Sequence, residues 1–210
     1  MGVPAGNARA TTIPAGDHWI TILTARSADW LEGLYPLDDR VEAEWGAAHG
    51  SVSYATHFRE GGFQQDTLTT FLSTGIEISR RSLVRGVWTP EPRTLPPHPD
   101  VDDPLSAVMR LRALDPAIPH DLTVFSGSRV VPIHAEPAGI EAIGSTEVQR
   151  VDLRTVREGV MEDKLTAWFS VDGLRIPVKA VVHTRAGPVE VRQVSGVAGS
   201  GAPPLPPAGR

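Results

Sequence analysis

The amino-acid sequence predicts a mainly β protein: a curved antiparallel sheet or an open β-barrel with one packed helix at about residues 103–114. The first observation behind this prediction is that apolar and polar residues alternate one by one within many short segments of the chain. The second is Asp172-Gly173, which separates two apolar-rich runs as the central residues of a type I′ hairpin turn do. The third is one clear helix start, Asp103-Pro104, among many strand-like runs.

The N-terminal half contains five predicted strands. They cover residues 19–24, 40–45, 51–59, 63–72 and 76–84. In the second of them, Val41, Ala43 and Trp45 alternate with polar residues, so these three side chains share one face of a sheet. Between the first two strands, residues 27–37 predict a short helical or irregular excursion that carries Trp30.

A proline-rich stretch, residues 89–104, follows these strands. Its five prolines between Pro90 and Pro99 predict an unpaired surface loop, because proline has no N–H to donate to a β ladder. The loop leads into the helix, where Asp103 is the predicted N-cap and Pro104 the first helical residue.

The C-terminal part of the chain predicts consecutive antiparallel hairpins. The strands are expected at residues 122–125, 130–136, 140–154, 165–170, 174–183 and 189–194, with turns at Gly127-Ser128, Asp172-Gly173 and Ala186-Gly187. Residues 1–195 therefore form one predicted β-rich domain. The Gly/Pro/Ala-rich residues 196–210 are expected to be a disordered tail.

Composition excludes several classes of protein. The formal net charge of −5 and the lack of a clustered basic stretch argue against nucleic-acid binding. The chain has no cysteine, which excludes disulfides, thiolate metal sites and a cysteine nucleophile. It also has no apolar run of about 18 residues, so no transmembrane segment is expected. The oligomeric state is left open.

Arg112 is the candidate ligand-binding residue. At about 100° per residue, it falls in the same helical stripe as Leu105, Val108 and Met109. A guanidinium that faces a core needs a partner, because burying it unpaired costs several kcal/mol. Three alternatives follow: an ion pair with a sheet carboxylate, a side chain that reaches out to solvent, or a site for a carboxylate or phosphate head group beneath the helix.

No metal or catalytic motif is recognisable. The seven histidines lack ligand spacing, and the acidic residues 100–103 lack the glycine and closing glutamate of a calcium loop. Hence no metal and no cofactor are expected, and no catalytic residue is assigned. A hydrolase would need a concealed site with a serine or aspartate near His57, His134 or His183.

Five patches of the sequence form a pattern by their order and spacing. They are Asp38-Asp-Arg-Val-Glu42; Phe58-Arg-Glu-Gly61 with Asp66; Asp103-Pro-Leu-Ser106 with Leu111-Arg112; Leu122-Thr-Val124 with Gly127; and Trp168-Phe-Ser-Val-Asp172 with Arg175-Ile-Pro-Val178 and Gly187. Together they resemble the bacterial family called domain of unknown function 3108, over nearly the whole chain up to Ser195. The resemblance implies an exported cell-envelope protein of mainly β structure without an assigned activity.

The resemblance also bears on the N-terminus. Gly2-Val-Pro-Ala-Gly6 is similar to the family's early Gly-x-x-Ala-Gly turn, which normally follows a first strand and a signal peptide. We therefore expect Met1 to be an internal methionine and the protein to reside in the periplasm or cell envelope. If Met1 is the true start, the missing signal peptide predicts a cytoplasmic protein instead.

The functional expectation is a non-enzymatic binding module for an apolar or amphiphilic ligand held on the concave face of the sheet, with Arg112 as the head-group contact. The first alternative is a structural or assembly factor that binds an envelope protein through its sheet edges and its proline-rich loop. The second alternative is the concealed hydrolase. The discriminating feature is whether the concave face is open or filled with side chains.

Overall fold

The computed structural model describes residues 4–46, 50–157, 160–184 and 187–193. Strands make up 69% of the structure, one of its two sheets is strongly curled into a half-barrel, and one of its two helices is packed. The predicted fold class is therefore confirmed. The chain divides between Ser106 and Ala107 into two compact units. That residues 1–195 act as one domain stays a prediction, and the tail 196–210 lies outside the described residues.

The first unit contains a seven-stranded antiparallel sheet in which every strand pairs with its neighbour in sequence. Its strands are β1 (Gly6–Ala15), β2 (His18–Ser27), β3 (Asp38–Gly46), β4 (Gly50–Glu60), β5 (Phe63–Leu72), β6 (Gly75–Val84) and β7 (Val87–Leu95). Helix α1 (Asp29–Glu32) lies between β2 and β3, and the short β8 (Val101–Asp102) follows β7. The five strands predicted in this half are all present, and α1 confirms the short excursion.

One face of this sheet, here called the core face, is buried. It carries Val41, Ala43, Trp45, Tyr54, Thr56, Thr67, Thr69, Ile76, Ile78 and Ser82. The cross-strand register aligns Ala43 with Tyr54, Thr69 and Ile78 in a single row. The predicted alternation in β3 is therefore correct. The opposite face, here called the outer face, carries charged and polar residues at most positions.

Two strands of this sheet were not expected from the sequence. β1 pairs with β2 over ten residue pairs, although its small and polar residues give no apolar alternation. β7 pairs with β6 despite its prolines, so the predicted loop at 89–104 is wrong over its first part. Pro90 and Pro92 are two residues apart in the edge strand, so both ring nitrogens point away from β6 and no ladder donor is lost.

Helix α2 (Pro104–Ala113) begins in the first unit and continues in the second. Asp103 is its N-cap, as predicted: the carboxylate Oδ1 accepts hydrogen bonds from the backbone N–H groups of Leu105 (2.8 Å) and Ser106 (3.1 Å). Burial raises the pKa of the Asp103 carboxyl. Neither helix in the described part of the chain is long and apolar enough to cross a membrane.

The second unit is a succession of antiparallel hairpins. Its strands are β9 (His120–Phe125), β10 (Val130–Ile143), β11 (Thr146–Arg157), β12 (Val160–Ser170), β13 (Pro177–Thr184) and β14 (Gly187–Arg192), paired in sequence order. Leu111 of α2 packs onto the sheet. The buried cluster beneath it contains Leu122, Ala135, Val151, Leu153, Ala167 and Phe169. This cluster is the core that holds the predicted helix on the sheet.

One predicted strand and one predicted turn in this unit differ from the structure. The strand expected at 140–154 is interrupted at Gly144, which has a φ of 63° and begins a turn between β10 and β11. Asp172-Gly173 is not a two-residue turn, because the loop runs from the end of β12 to Pro177 and its positive-φ residue is Arg175. The hairpin itself is present. Of the turn predicted at Ala186-Gly187, Ala186 lies outside the described residues.

Candidate functional site

A group of charged side chains surrounds Asp66 on the outer face of the first sheet. The register places His57 of β4, Asp66 of β5 and Arg81 of β6 side by side in one cross-strand row. Arg59 lies two residues further along β4 and reaches the same carboxylate. We call these four residues, together with Trp88 of β7, the cation–aromatic cluster.

The carboxylate of Asp66 is the centre of the cluster. It accepts hydrogen bonds from Arg59 Nη2 (2.7 Å), Arg81 Nε (2.9 Å) and His57 Nδ1 (3.1 Å). Asp66 is 8% exposed although it lies on the outer face, because these side chains cover it. Burial alone would raise its pKa, but the hydrogen bonds from Arg59, Arg81 and His57 prevail and lower the pKa of Asp66 to about 2. The carboxylate is therefore ionised at neutral pH.

Trp88 connects the two arginines. Its ring centroid lies 4.9 Å from the guanidinium carbon of Arg81 and 5.5 Å from that of Arg59. Both distances are within the range of cation–π attraction. Trp88 is 37% exposed, and the Arg81 side chain is 59% exposed, so both present surface to solvent. With two guanidinium groups and one carboxylate, the cluster has a net positive charge before His57 is considered.

Three apolar side chains, Leu68, Pro90 and Pro92, adjoin the cluster on the outer face, with Ser79 between Leu68 and Pro92, and we call these three the apolar strip. The register places Leu68 of β5 in the row next to Asp66, and Leu68 is 50% exposed. In the same face, Pro90 stands opposite Arg81 and Pro92 opposite Ser79. A cationic group with an aromatic ring and an apolar strip beside it is chemically suited to an amphiphile that has an acidic head group.

Arg112, the residue singled out by the sequence, occupies a different place, in the second unit. Its side chain is buried and donates hydrogen bonds to backbone carbonyls of the loop between β12 and β13. Nη2 bonds the carbonyl of Leu174 (2.8 Å), and Nε bonds the carbonyl of Arg175 (3.1 Å). Burial lowers the pKa of Arg112, and nearby Asp172 opposes that shift. The partners of the guanidinium are therefore two backbone carbonyls and the Met109 sulfur, which accepts from Nη1 (3.1 Å). Its role as a ligand contact stays a prediction.

A residue of the same loop also donates a hydrogen bond to the end of the helix. Arg175 Nη1 donates to the carbonyl of Leu114, just beyond the end of α2. Arg175 has a φ of 45°, and Asp172 Oδ1 holds the loop by accepting the N–H groups of Leu174 (3.1 Å) and Arg175 (3.0 Å). Arg112, Asp172 and Arg175 all belong to the pattern that carries the family resemblance. In this structure they join α2 to the β12–β13 loop.

A shallow depression, open to solvent, lies near the end of α2. Arg175 lines it together with apolar side chains such as Leu111, Ile118 and Val151. The depression is too small and too open to enclose a lipid chain. It therefore does not decide the prediction that a ligand is held on a concave face.

The histidines proposed for a hydrolase lie apart from one another. His57 belongs to the cation–aromatic cluster, whereas His134 lies between the carboxylates of Asp121 (2.8 Å) and Glu136 (3.0 Å), which raise its pKa. His183 is an exposed residue of β13. Across the described ranges, no three His, Asp or Glu side chains are placed to hold a metal ion. The hydrolase stays a prediction.

Sequence reasoning missed the cation–aromatic cluster for an identifiable reason. Arg59 and Asp66 are part of the resemblance pattern, and the alternation in β4 and β5 could have placed them on one face. The prolines, however, led to a loop prediction that began at Thr89, next to Trp88. Without β7 there was no strand to bring Trp88 beside Arg81, so the aromatic part of the cluster could not be assembled.

Comparison with known proteins gives one match. The family model described as "Protein of unknown function (DUF3108)" matches residues 1–194. No curated protein and no solved structure matches the chain. The match covers both units, including the cation–aromatic cluster, Arg112 and the loop that Arg112 holds.

Proposed function

We propose that this chain, which belongs to the family of proteins of unknown function DUF3108, is a non-enzymatic cell-envelope protein that binds an amphiphile with an acidic head group. The observation that carries the proposal is the exposed Trp88 ring beside the guanidinium groups of Arg59 and Arg81. The adjoining apolar strip supplies the surface for the hydrocarbon chain. The acidic head group is a phosphate or a carboxylate.

The two halves of such a ligand need different contacts. Arg81 can turn part of its guanidinium toward a ligand, since its side chain is more than half exposed while its Nε and Nη2 atoms bond Asp66. Asp66 limits the attraction between the two arginines and an acidic head group, because its negative charge already compensates one of the two arginines. The hydrocarbon chain would cover Leu68, Pro90 and Pro92, and each buried methylene contributes about 0.8 kcal/mol.

Titration of the full chain with dodecyl phosphate, below its critical micelle concentration, tests this proposal by calorimetry. We expect saturable binding, weaker binding of octyl phosphate, and little binding of inorganic phosphate or dodecyl maltoside. Arg81→Gln should weaken the binding of dodecyl phosphate at least tenfold, which corresponds to about 1.4 kcal/mol. Asp66→Asn should strengthen it, because the variant leaves both arginines without their counter-charge.

Arg9→Gln is the matched control. Arg9 lies on the outer face of β1, in the same cross-strand row as Arg81 but five strands away, and it is exposed. This variant should bind dodecyl phosphate as the wild-type protein does. Equal losses in Arg81→Gln and Arg9→Gln would show a non-specific charge effect, and absent binding by the wild type would reject the proposal.

The location in the cell envelope is part of the proposal and is supported by the family resemblance. Sequencing the DNA upstream of Met1 for an in-frame signal peptide, together with fractionation of cells that make the full-length protein, tests it. Recovery in the periplasmic or membrane fraction is expected. Recovery in the cytoplasm alone, with no upstream signal peptide, would show that Met1 is the true start and that the location is cytoplasmic.

Binding of a partner protein is the second candidate function, and the edge of β1 favours it. β1 is an exposed ten-residue edge strand with a single charged residue, Arg9, and one proline, Pro14, near its end, whereas the edge strand β7 carries Pro90 and Pro92 in its middle. Edges of this kind accept a further strand. Capture of one stoichiometric envelope protein by the full-length chain, lost after Ala10→Pro at a position whose N–H points away from β2, would support this function over amphiphile binding.

A further inference from the structure

The tips of two neighbouring hairpins in the first unit carry exposed apolar side chains. The β4–β5 and β6–β7 turns lie at the same end of the sheet, and β5 pairs with β6, so the two tips are adjacent. Phe63 at the first tip is 47% exposed, and Val84 and Val87 at the second are 52% and 66% exposed. We call Phe63, Val84, Arg85 and Val87 the hairpin tips.

Arg85 is held in an unfavourable backbone conformation at the second tip. Its φ is 52° and that of Gly86 is 78°, as in a two-residue turn whose central residues both have positive φ. Asparagine, aspartate and glycine are the residues that normally occupy the first of these positions, because a Cβ atom crowds the following carbonyl oxygen there, glycine has no Cβ, and the Asn and Asp side chains offset the cost by local hydrogen bonds. A strained residue that persists at an exposed tip points to a function for its side chain.

The charges around the hairpin tips favour an anionic surface. Arg85 lies between the two valines, and Arg59, Arg81 and Trp88 of the cation–aromatic cluster lie in the rows behind the tips. Apolar side chains flanked by arginine and tryptophan are typical of segments that enter the head-group layer of a bilayer. Glu60, the acidic residue of the first tip, accepts a hydrogen bond from the Tyr35 hydroxyl (3.2 Å).

We propose that the hairpin tips dock on an anionic phospholipid bilayer, with Phe63, Val84 and Val87 entering the head-group layer and Arg85 contacting lipid phosphates. This inference rests on the proposed function, since it makes the bilayer the source of the amphiphile. The register places the apolar tip side chains on the core face and the cation–aromatic cluster on the outer face, one to three residues behind the tips along the strands. Docking by the end of the sheet would bring the cluster close to the lipid head groups.

Co-sedimentation of the full chain with vesicles tests the proposal. Vesicles of phosphatidylcholine and phosphatidylglycerol at about 70:30 should bind the protein, vesicles of phosphatidylcholine alone should bind it several-fold less, and added salt should weaken the binding. Val84→Ser combined with Val87→Ser should reduce binding about tenfold. The control, Val189→Ser combined with Val191→Ser, removes two exposed valines of β14 and should bind as wild type does.

The variant Arg85→Asn distinguishes a loss of vesicle docking from a loss of folding stability. Asparagine tolerates the left-handed conformation, so the variant should be at least as stable as wild type while its binding to anionic vesicles falls several-fold. Its binding of dodecyl phosphate should not change, whereas Arg81→Gln should lose that binding. If wild-type protein binds dodecyl phosphate but no vesicles, the docking proposal is wrong and the proposed function still stands. Equal vesicle binding by Arg85→Asn, the Val84/Val87 variant and wild type would also overturn the docking proposal.

Discussion

At the scale of single residues, the position of Asp66 shows how two arginines and a histidine can bury a carboxylate on the solvent side of a sheet. Of the outer-face positions of β5, Asp66 alone is buried. Three donors from two neighbouring strands compensate the loss of hydration, and they lower the pKa of the carboxyl instead of raising it. Asp66 thus stabilises the fold and also determines how much positive charge Arg59 and Arg81 present to solvent.

This pKa predicts how stability depends on pH. The pKa of Asp66 is about 2 in the folded protein and 3.8 in a free side chain, so the unfolded state binds the proton more tightly. The carboxylate therefore contributes about 2 kcal/mol above pH 4, and this contribution is lost as the pH falls toward 2. Urea unfolding should show Asp66→Asn less stable than wild type by about that amount at pH 6, and the difference should shrink below pH 4.

Asp38→Asn is the control for this prediction. Asp38 pairs with Arg26 at 3.0 Å, but both side chains are mostly exposed, so the pair contributes little. Its variant should stay within about 0.5 kcal/mol of wild type between pH 6 and pH 2. A difference between wild type and Asp66→Asn that does not change with pH would contradict the charge-based account of this cluster.

At the scale of the elements, prolines decide how the edge of the first sheet is built. Pro90 and Pro92 occupy alternate positions of β7 that need no donor toward β6, so the strand pairs along its whole length. The residue between them, Glu91, stands opposite Arg80 at a position where the N–H points toward β6. One strand therefore contains positions where proline is tolerated and positions where it is not.

Glu91→Pro should therefore destabilise the protein, although two prolines already flank the site. The variant loses a ladder hydrogen bond and leaves a carbonyl of β6 without its donor, which together cost about 2 kcal/mol. Glu91→Ala removes the same side chain without removing the N–H and should cost less than about 0.5 kcal/mol. Urea unfolding of both variants provides the measurement. Equal stability of the two variants would show that β7 does not pair at Glu91.

Helix α2 and the β12–β13 loop stabilise each other. The start of α2 is determined locally by Asp103, whereas its end depends on this loop, which is about 60 residues away in the sequence. Arg112 bonds the carbonyls of that loop, and Arg175 of the loop bonds the carbonyl of Leu114. Because both arginines are buried or nearly so, the loop and the helix end supply each other's hydrogen-bond partners.

At the scale of the whole molecule, helix α2 belongs to both compact units. Because unfolding of either unit removes part of this helix, we expect one cooperative thermal transition for the full chain. Asp66→Asn changes the first unit, and Arg112→Met leaves buried carbonyls of the second unit without donors. Both variants should lower the same midpoint in differential scanning calorimetry.

Arg129→Met is the control for the second unit, since Arg129 is exposed. It should leave the midpoint unchanged within about 1 °C, as substitutions away from buried features usually do. Two transitions, of which Asp66→Asn lowers only one and Arg112→Met only the other, would show that the units unfold independently. In that case the prediction of a single domain over residues 1–195 would be wrong.

The sequence by itself determined those features that depend on neighbouring residues. Alternation in β3 and β4 placed those strands, and Asp103-Pro104 placed the start of α2, because a strand face and a helix cap depend on local spacing. The family pattern also selected Arg59, Asp66, Arg112 and Asp172. The sequence did not show which of these residues meet, since that depends on strand register and on loops far apart in the chain.

The tertiary structure alone decided the rest. Register brought His57, Asp66 and Arg81 into one row, and pairing of β7 added Trp88, although prolines in that strand had indicated a loop. Tertiary contacts also gave Arg112 backbone carbonyls as partners, whereas the sequence had suggested a carboxylate or a ligand. The physical reason is the same in each case: the partner of a charged side chain is set by packing across strands, which local sequence does not encode.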